Sequence, residues 1–167
     1  MFARLFAAAL LSVALSAGAA GQSQLDWDRY IDPQYGFSAD LPYGAFEPLP
    51  GDPSQGLTLG EIGGNGQISI YGGDARGLTL AGFAERLTSG NDVREITYQA
   101  EGKSWFVLSG YYSPQSGEQL IFYTKVLLSP DRESFSAFEI SYDANEKARY
   151  DAIVERIEDS FTRPAAG

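Results

Sequence analysis

Across residues 119–128 the chain places apolar side chains on both alternating faces. Leu120, Phe122, Val126 and Leu128 point one way, and Ile121, Tyr123 and Leu127 point the other. A strand with one wet face alternates apolar with polar, so this run predicts a central strand covered on two sides. Residues 93–99, 104–112 and 134–142 read as its companions, joined by the connectors 100–103, 113–118 and 129–133. Connectors this short join neighbouring antiparallel strands. The expected unit is therefore a meander that needs material packed on each face.

The rest of the chain supplies that material. Residues 25–30 and 36–41 read as two strands around Asp32-Pro33-Gln34-Tyr35, with Asp-Pro as turn chemistry and Pro42 as the stop. Residues 47–56 carry Pro48, Pro50 and Pro53 and read as an irregular loop. Two short strands, 57–62 and 67–71, flank Gly63-Gly64-Asn65-Gly66. Thr79 is placed to cap a helix through Leu87, with Leu80, Phe83, Ala84 and Leu87 on one stripe and Gly90-Asn91 at its end. At the far end, Asp143 and Glu146 form a D-x-x-E capping pair ahead of a helix to about Ser160. Tyr150, Ile153, Val154, Ile157 and Phe161 form its apolar face. The predicted class is α+β: an antiparallel sheet with helices on both sides, an α/β/α sandwich.

The chain divides into 1–20 and 21–167. Arg4, an apolar run from Phe6 to Leu15 broken only by Ser12, and the small residues after it have the parts of a cleavable secretory signal peptide. A membrane span needs roughly 20 apolar residues, more than this run holds. The remainder is expected to be one soluble, monomeric domain of the bacterial periplasm, without stable membrane insertion. The full chain's net charge of −10 disfavours nucleic acid and anionic lipid, which reward a basic face.

Trp27, Tyr30, the string Tyr35-Gly36-Phe37-Ser38, and Leu41-Pro42 resemble the opening of PsbP-like and Mog-type domains. Tyr142, the last helix and Ser160-Phe161 resemble their ending, and Ile96-Thr97-Tyr98 with residues 105–110 resembles exported bacterial proteins of that group. The resemblance implies a sheet flanked by helices on both sides and roles in assembly or protein interaction. Photosynthetic members associate with a manganese–calcium centre, and Mog-type members bind the GTPase Ran. No matching metal ligands stand in this chain, and a signal peptide excludes a nuclear GTPase as partner.

The absence of histidine and cysteine removes imidazole and thiol catalysis, and with them thiolate metal sites. No lysine among Lys103, Lys125 and Lys147 sits in S-x-x-K, and no G-x-S-x-G occurs. The glycine run at 63–66 lacks G-K-[ST] and precedes a strand, which makes it a turn. Asp26 with Asp28, and Glu101, Glu118 and Asp131 at loops, are the carboxylates a glycosidase-like hydrolase would draw on, but no spacing marks a pair. No calcium-loop pattern is present, although scattered carboxylates leave weak calcium binding open. No cofactor is expected, and no enzyme.

For an interaction surface the candidates are Tyr43 and Phe46, which lie with Leu49 in a Pro/Gly-rich loop, and Tyr111 and Tyr112, before the 113–118 connector. Tyrosine combines contact area with a hydroxyl and favours interfaces. Adjacent strand residues face opposite ways, so a sheet covered on both sides would instead absorb Tyr111 and Tyr112. The leading expectation is a non-catalytic interaction or assembly domain whose partner is another envelope protein. The alternatives are a small-ligand or cation binder and a carboxylate hydrolase.

Overall fold

The computed structural model describes residues 25–89, 94–112 and 119–166. The predicted signal peptide, Gly90-Asn91 and the 113–118 connector with Glu118 lie outside the described residues.

The chain begins with a hairpin, β1 (Trp27–Ile31) against β2 (Ser38–Pro42), closed by a turn in which Asp32 Oδ1 accepts the N–H groups of Gln34 and Tyr35. The main sheet follows: β3 (Phe46–Pro48), β4 (Leu57–Glu61), β5 (Gln67–Asp74), β6 (Arg94–Glu101), β7 (Trp105–Tyr112), β8 (Leu120–Leu128) and β9 (Ser134–Asp143). Its order is β3-β4-β5-β9-β8-β7-β6, with every pairing antiparallel. The expected meander is the β6–β9 half, and β8 lies inside the sheet between β7 and β9.

Helix α1 (Leu80–Ser89) carries the chain from β5 across one face to the distant edge strand β6. Its Phe83 packs with Phe106 and Leu108 of β7, Phe122 and Val126 of β8 and Ala137 of β9. Helix α2 (Lys147–Ser160) covers the opposite face together with the β1–β2 hairpin. There Tyr150, Ile153, Ile157 and Phe161 meet Phe37 and Leu41, Ile68 and Ile70, and Phe138 and Ile140. The double-faced pattern of β8 follows directly, since Ile121 feeds the α2 core while Phe122 and Val126 feed the α1 core. The class and two-sided cover expected from the sequence are those observed.

Two local readings differ. The proline-rich stretch is not wholly irregular. Phe46–Pro48 pairs with β4, and Asp52 caps a short 3-10 turn at Pro53–Gln55. Pro48 is tolerated because β3 is an edge strand, with a free side that needs no donor. The D-x-x-E pair also does not form a reciprocal box. Asp143 accepts from the Asn145 N–H and starts a 3-10 turn at Ala144–Glu146, while Glu146 turns outward to Arg149.

A bulge interrupts β6. Ile96 pairs with Gly110 and Tyr98 with Ser109, so Thr97 is the extra residue. Gly110 permits this approach, because a β-carbon there would lie 1.8 Å from the Glu95 carbonyl oxygen.

Candidate functional site

Most polar side chains inside this fold are already engaged with one another. Glu61, at the end of β4, has only 7% of its side chain exposed. Its Oε2 accepts from the Tyr150 hydroxyl at 2.6 Å and from the Gly66 N–H at 3.2 Å, and its Oε1 lies 2.6 Å from Arg149. Burial alone would raise the Glu61 pKa. The bonds from Arg149, Tyr150 and Gly66, with the Arg149 charge, outweigh burial and hold it below the usual glutamate value. Tyr150 is pushed up by burial and by Glu61, and its ring stacks on Tyr142 at 4.2 Å between centroids. This cluster clamps α2 to the β4–β5 hairpin.

Two further clusters tie strands together. Between β7, β8 and β9, Glu139 accepts from the Tyr112 hydroxyl at 2.8 Å and from Thr124 at 3.0 Å. On the α2 side, Glu158 accepts from Tyr123 and Lys125, each at 2.6 Å. Burial, followed by this bond to Glu158, raises the Tyr123 pKa. Such arrangements neutralise partly buried charge and position backbone elements.

Open clefts of about 250, 480 and 380 Å³ lie at the surface. The largest is lined by Tyr35, Asp74, Arg76 and Glu133 among others. Asp74 is bound by the Arg76 guanidinium, and that hydrogen bonding lowers its pKa to about 2. A carboxyl titrating there has no proton to give at neutral pH, so it is a poor general acid. Among the described residues no three carboxylates stand together as metal ligands, and no helix is long and apolar enough to cross a membrane.

The tyrosines and phenylalanine singled out from sequence do not form one patch. Phe46 is 1% exposed, set edge-to-face against Tyr150 within the α2 core, so it offers no surface. The expectation that it sits on a loop is corrected by its place in β3, where it pairs with Glu61. Tyr43 is half-buried against the same core, and burial, then Asp28, raises its pKa. Tyr111 packs on the α2 side and Tyr112 on the α1 side. Both are half-buried, one on each face of the sheet.

The exposed aromatic surface lies elsewhere. Tyr98 on β6 is 58% exposed and Trp105 on β7 is 38% exposed. Tyr98 pairs with Ser109, which pairs with Tyr123; Trp105 pairs with Leu127. Paired residues share a face, so both aromatics stand on the α2 side of the sheet, beyond the reach of the helix. Ala100 and Val107, also paired, lie between them and complete an apolar strip. A regular strand would place Tyr98 on the same face as Ile96. The Thr97 bulge reverses it, leaving Ile96 against the α1 core while Tyr98 faces outward on the other side.

No protein-family model matches the chain, and no curated protein matches it in sequence. Solved structures do match. The chain is similar to cyanobacterial PsbP (CyanoP) from Synechocystis sp. PCC 6803, with a TM-score of 0.60 and 13% identity over 92% of this chain and 98% of that one. It is also similar to the Ran-binding protein Mog1p of Saccharomyces cerevisiae, with a TM-score of 0.59 and 10% identity over 83% and 95%. The chain has the PsbP/Mog-like fold that its opening and closing motifs resemble.

Proposed function

We propose that this chain is a non-catalytic domain of the bacterial envelope, acting in protein interaction or assembly through the strip between Tyr98 and Trp105. The observation that carries this reading is the exposure of those two aromatics on a sheet face whose other half is sealed by α2 and the first hairpin. Tyrosine and tryptophan are enriched at interfaces because they add contact area with a polar handle at small entropic cost. The engagement of Glu61, Glu139 and Glu158 in internal bonds agrees with a structural rather than catalytic use of the polar groups. The yeast protein of this fold is described as Ran-binding, and a protein-binding use of the scaffold is consistent with that. A fold alone assigns no function, so the reading rests on the strip.

The test is crosslinking in native envelope extract followed by mass spectrometry, with wild-type protein, Tyr98→Thr and Trp105→Ser. One partner should be recovered repeatedly, crosslinked beside β6 and β7, and lost from both variants. Crosslinks confined to other faces, or a partner retained by both variants, would overturn the assignment.

A further inference from the structure

The charges around the strip indicate the partner chemistry. Beyond its Tyr98 end Glu95, exposed on the same strand β6, pairs across to Tyr111 and so shares the α2 face with Tyr98. Toward the middle of the sheet, over β8, runs the flank of α2. Asp151, Glu155 and Glu158 stand four and three residues apart, which places them along one side of a helix. Glu158 marks that side as the one toward β8, since it reaches Tyr123 and Lys125. The local cations are already used: Lys125 is bound to Glu158, and Lys147 is bound to Asp151 at 2.7 Å. Glu95 and Glu155 have no ion pair among the described residues. At the Trp105 end the sign changes, where Lys103 in the hairpin turn holds the Arg132 side chain on its carbonyl at 2.7 Å.

We propose that this strip receives a lysine- or arginine-bearing segment of a partner protein, its cation seated over Tyr98 between Glu95 and Glu155. This rests on the interaction reading above and names its chemistry. An aromatic face attracts a cation through its quadrupole, and two carboxylates on the same side of the sheet, without cations of their own, add Coulombic attraction. The net charge of −10 extends that attraction to longer range and speeds encounter with a basic partner. It also opposes a second copy of the same chain at this face.

The experiment follows backbone and indole resonances of the 15N-labelled protein during titration with an octapeptide of alternating lysine and leucine. An octapeptide of alternating glutamate and leucine serves as the counterpart. The basic peptide should shift resonances of residues 95–100, the Trp105 indole and the Glu155 turn, and the acidic one should not. Tyr98→Thr, Glu95→Gln and Glu155→Gln should each weaken binding by about threefold, the size expected for one exposed cation–π or charge contact. Raising salt to about 1 M, where screening acts within about 3 Å, should weaken it further.

Shifts spread over every acidic face and untouched by the three substitutions would mean attraction to net charge alone, and the proposal falls. Equal binding of both peptides would remove the cationic preference while leaving the strip as an interface. Silence with both peptides, alongside native crosslinks at β6 and β7, would do the same. Silence together with crosslinks elsewhere would remove the interaction reading as well.

Discussion

The hydroxyl of Tyr150 donates to Oε2 of Glu61 over 2.6 Å, joining residues 89 positions apart in the chain. The bond fastens α2 to the turn between β4 and β5, and α2 in turn closes one face of the sheet. Tyr150 is fully buried, so Tyr150→Phe removes the hydroxyl without removing the ring that stacks on Tyr142. A hydrogen bond to a charged group contributes about 1.5–3 kcal/mol. Because Arg149 and Gly66 still hold Glu61, the expected loss lies at the lower end, near 1.5 kcal/mol. Urea unfolding of wild type and variant measures it. An unchanged midpoint would mean the bond contributes nothing net.

The same cluster sets part of the acid stability. The Glu61 pKa lies lower in the native state than its ordinary 4.5, so the unfolded chain binds the proton more readily. A depressed carboxylate contributes stability above its unfolded pKa, and that contribution is lost as pH falls through the native value. The stability gap between wild type and Glu61→Gln should therefore be full above about pH 5 and close progressively below it. Asp74, with its pKa near 2, titrates at the bottom of the same limb, so the substitution removes only part of the acid slope. Thermal midpoints from pH 7 to pH 2 report the gap. A gap that is constant with pH would contradict the linkage.

Phe46→Ala and Tyr98→Thr separate a core residue from a surface one. Phe46 is 1% exposed, and truncating a buried phenylalanine costs about 3–5 kcal/mol through lost transfer and the cavity left behind. Tyr98 is 58% exposed, and threonine keeps β-branched strand preference, so its change should stay within about 0.5 kcal/mol. Loss of partner capture in Phe46→Ala would thus report weakened folding, whereas loss in Tyr98→Thr would report a lost contact. Denaturant midpoints measured beside the capture assay distinguish the two.

What the sequence revealed follows the range of each interaction. The double-faced run of β8, the stripe of α2 and the Thr79 cap are set by neighbours in sequence, and they were legible. Thr79 does accept from the Gly82 N–H, at 3.1 Å. Phe46 was misplaced because its partner Glu61 lies across a proline-rich stretch that reads as coil. The exposed pair was missed for another reason. Strict alternation assigns Tyr98 to the face of Ile96, and only the register shift at Thr97 moves it. The signal for that bulge was indirect: Gly110, the single glycine in β7, admits the Glu95 carbonyl. The Glu61–Tyr150 bond was out of reach, since it depends on β5 lying beside β9 and on α2 crossing back over both.

Gly66 gives the most discriminating test of that bond. A β-carbon at Gly66 would fall 1.9 Å from the Tyr150 hydroxyl oxygen and 3.0 Å from Glu61 Oε2. Gly66→Ala must therefore displace the ring, the carboxylate or the hairpin, at the about 1–3 kcal/mol typical of overpacking. Removing the hydroxyl first takes away the nearest atom in the clash and also the bond the clash would break. The double variant Gly66→Ala with Tyr150→Phe should then lose less stability than its two single variants together, with a coupling of at least about 0.5 kcal/mol. A double-mutant cycle by urea unfolding measures the coupling. Strict additivity would mean that the alanine methyl is accommodated without touching Tyr150, and that the glycine serves the turn rather than the clamp.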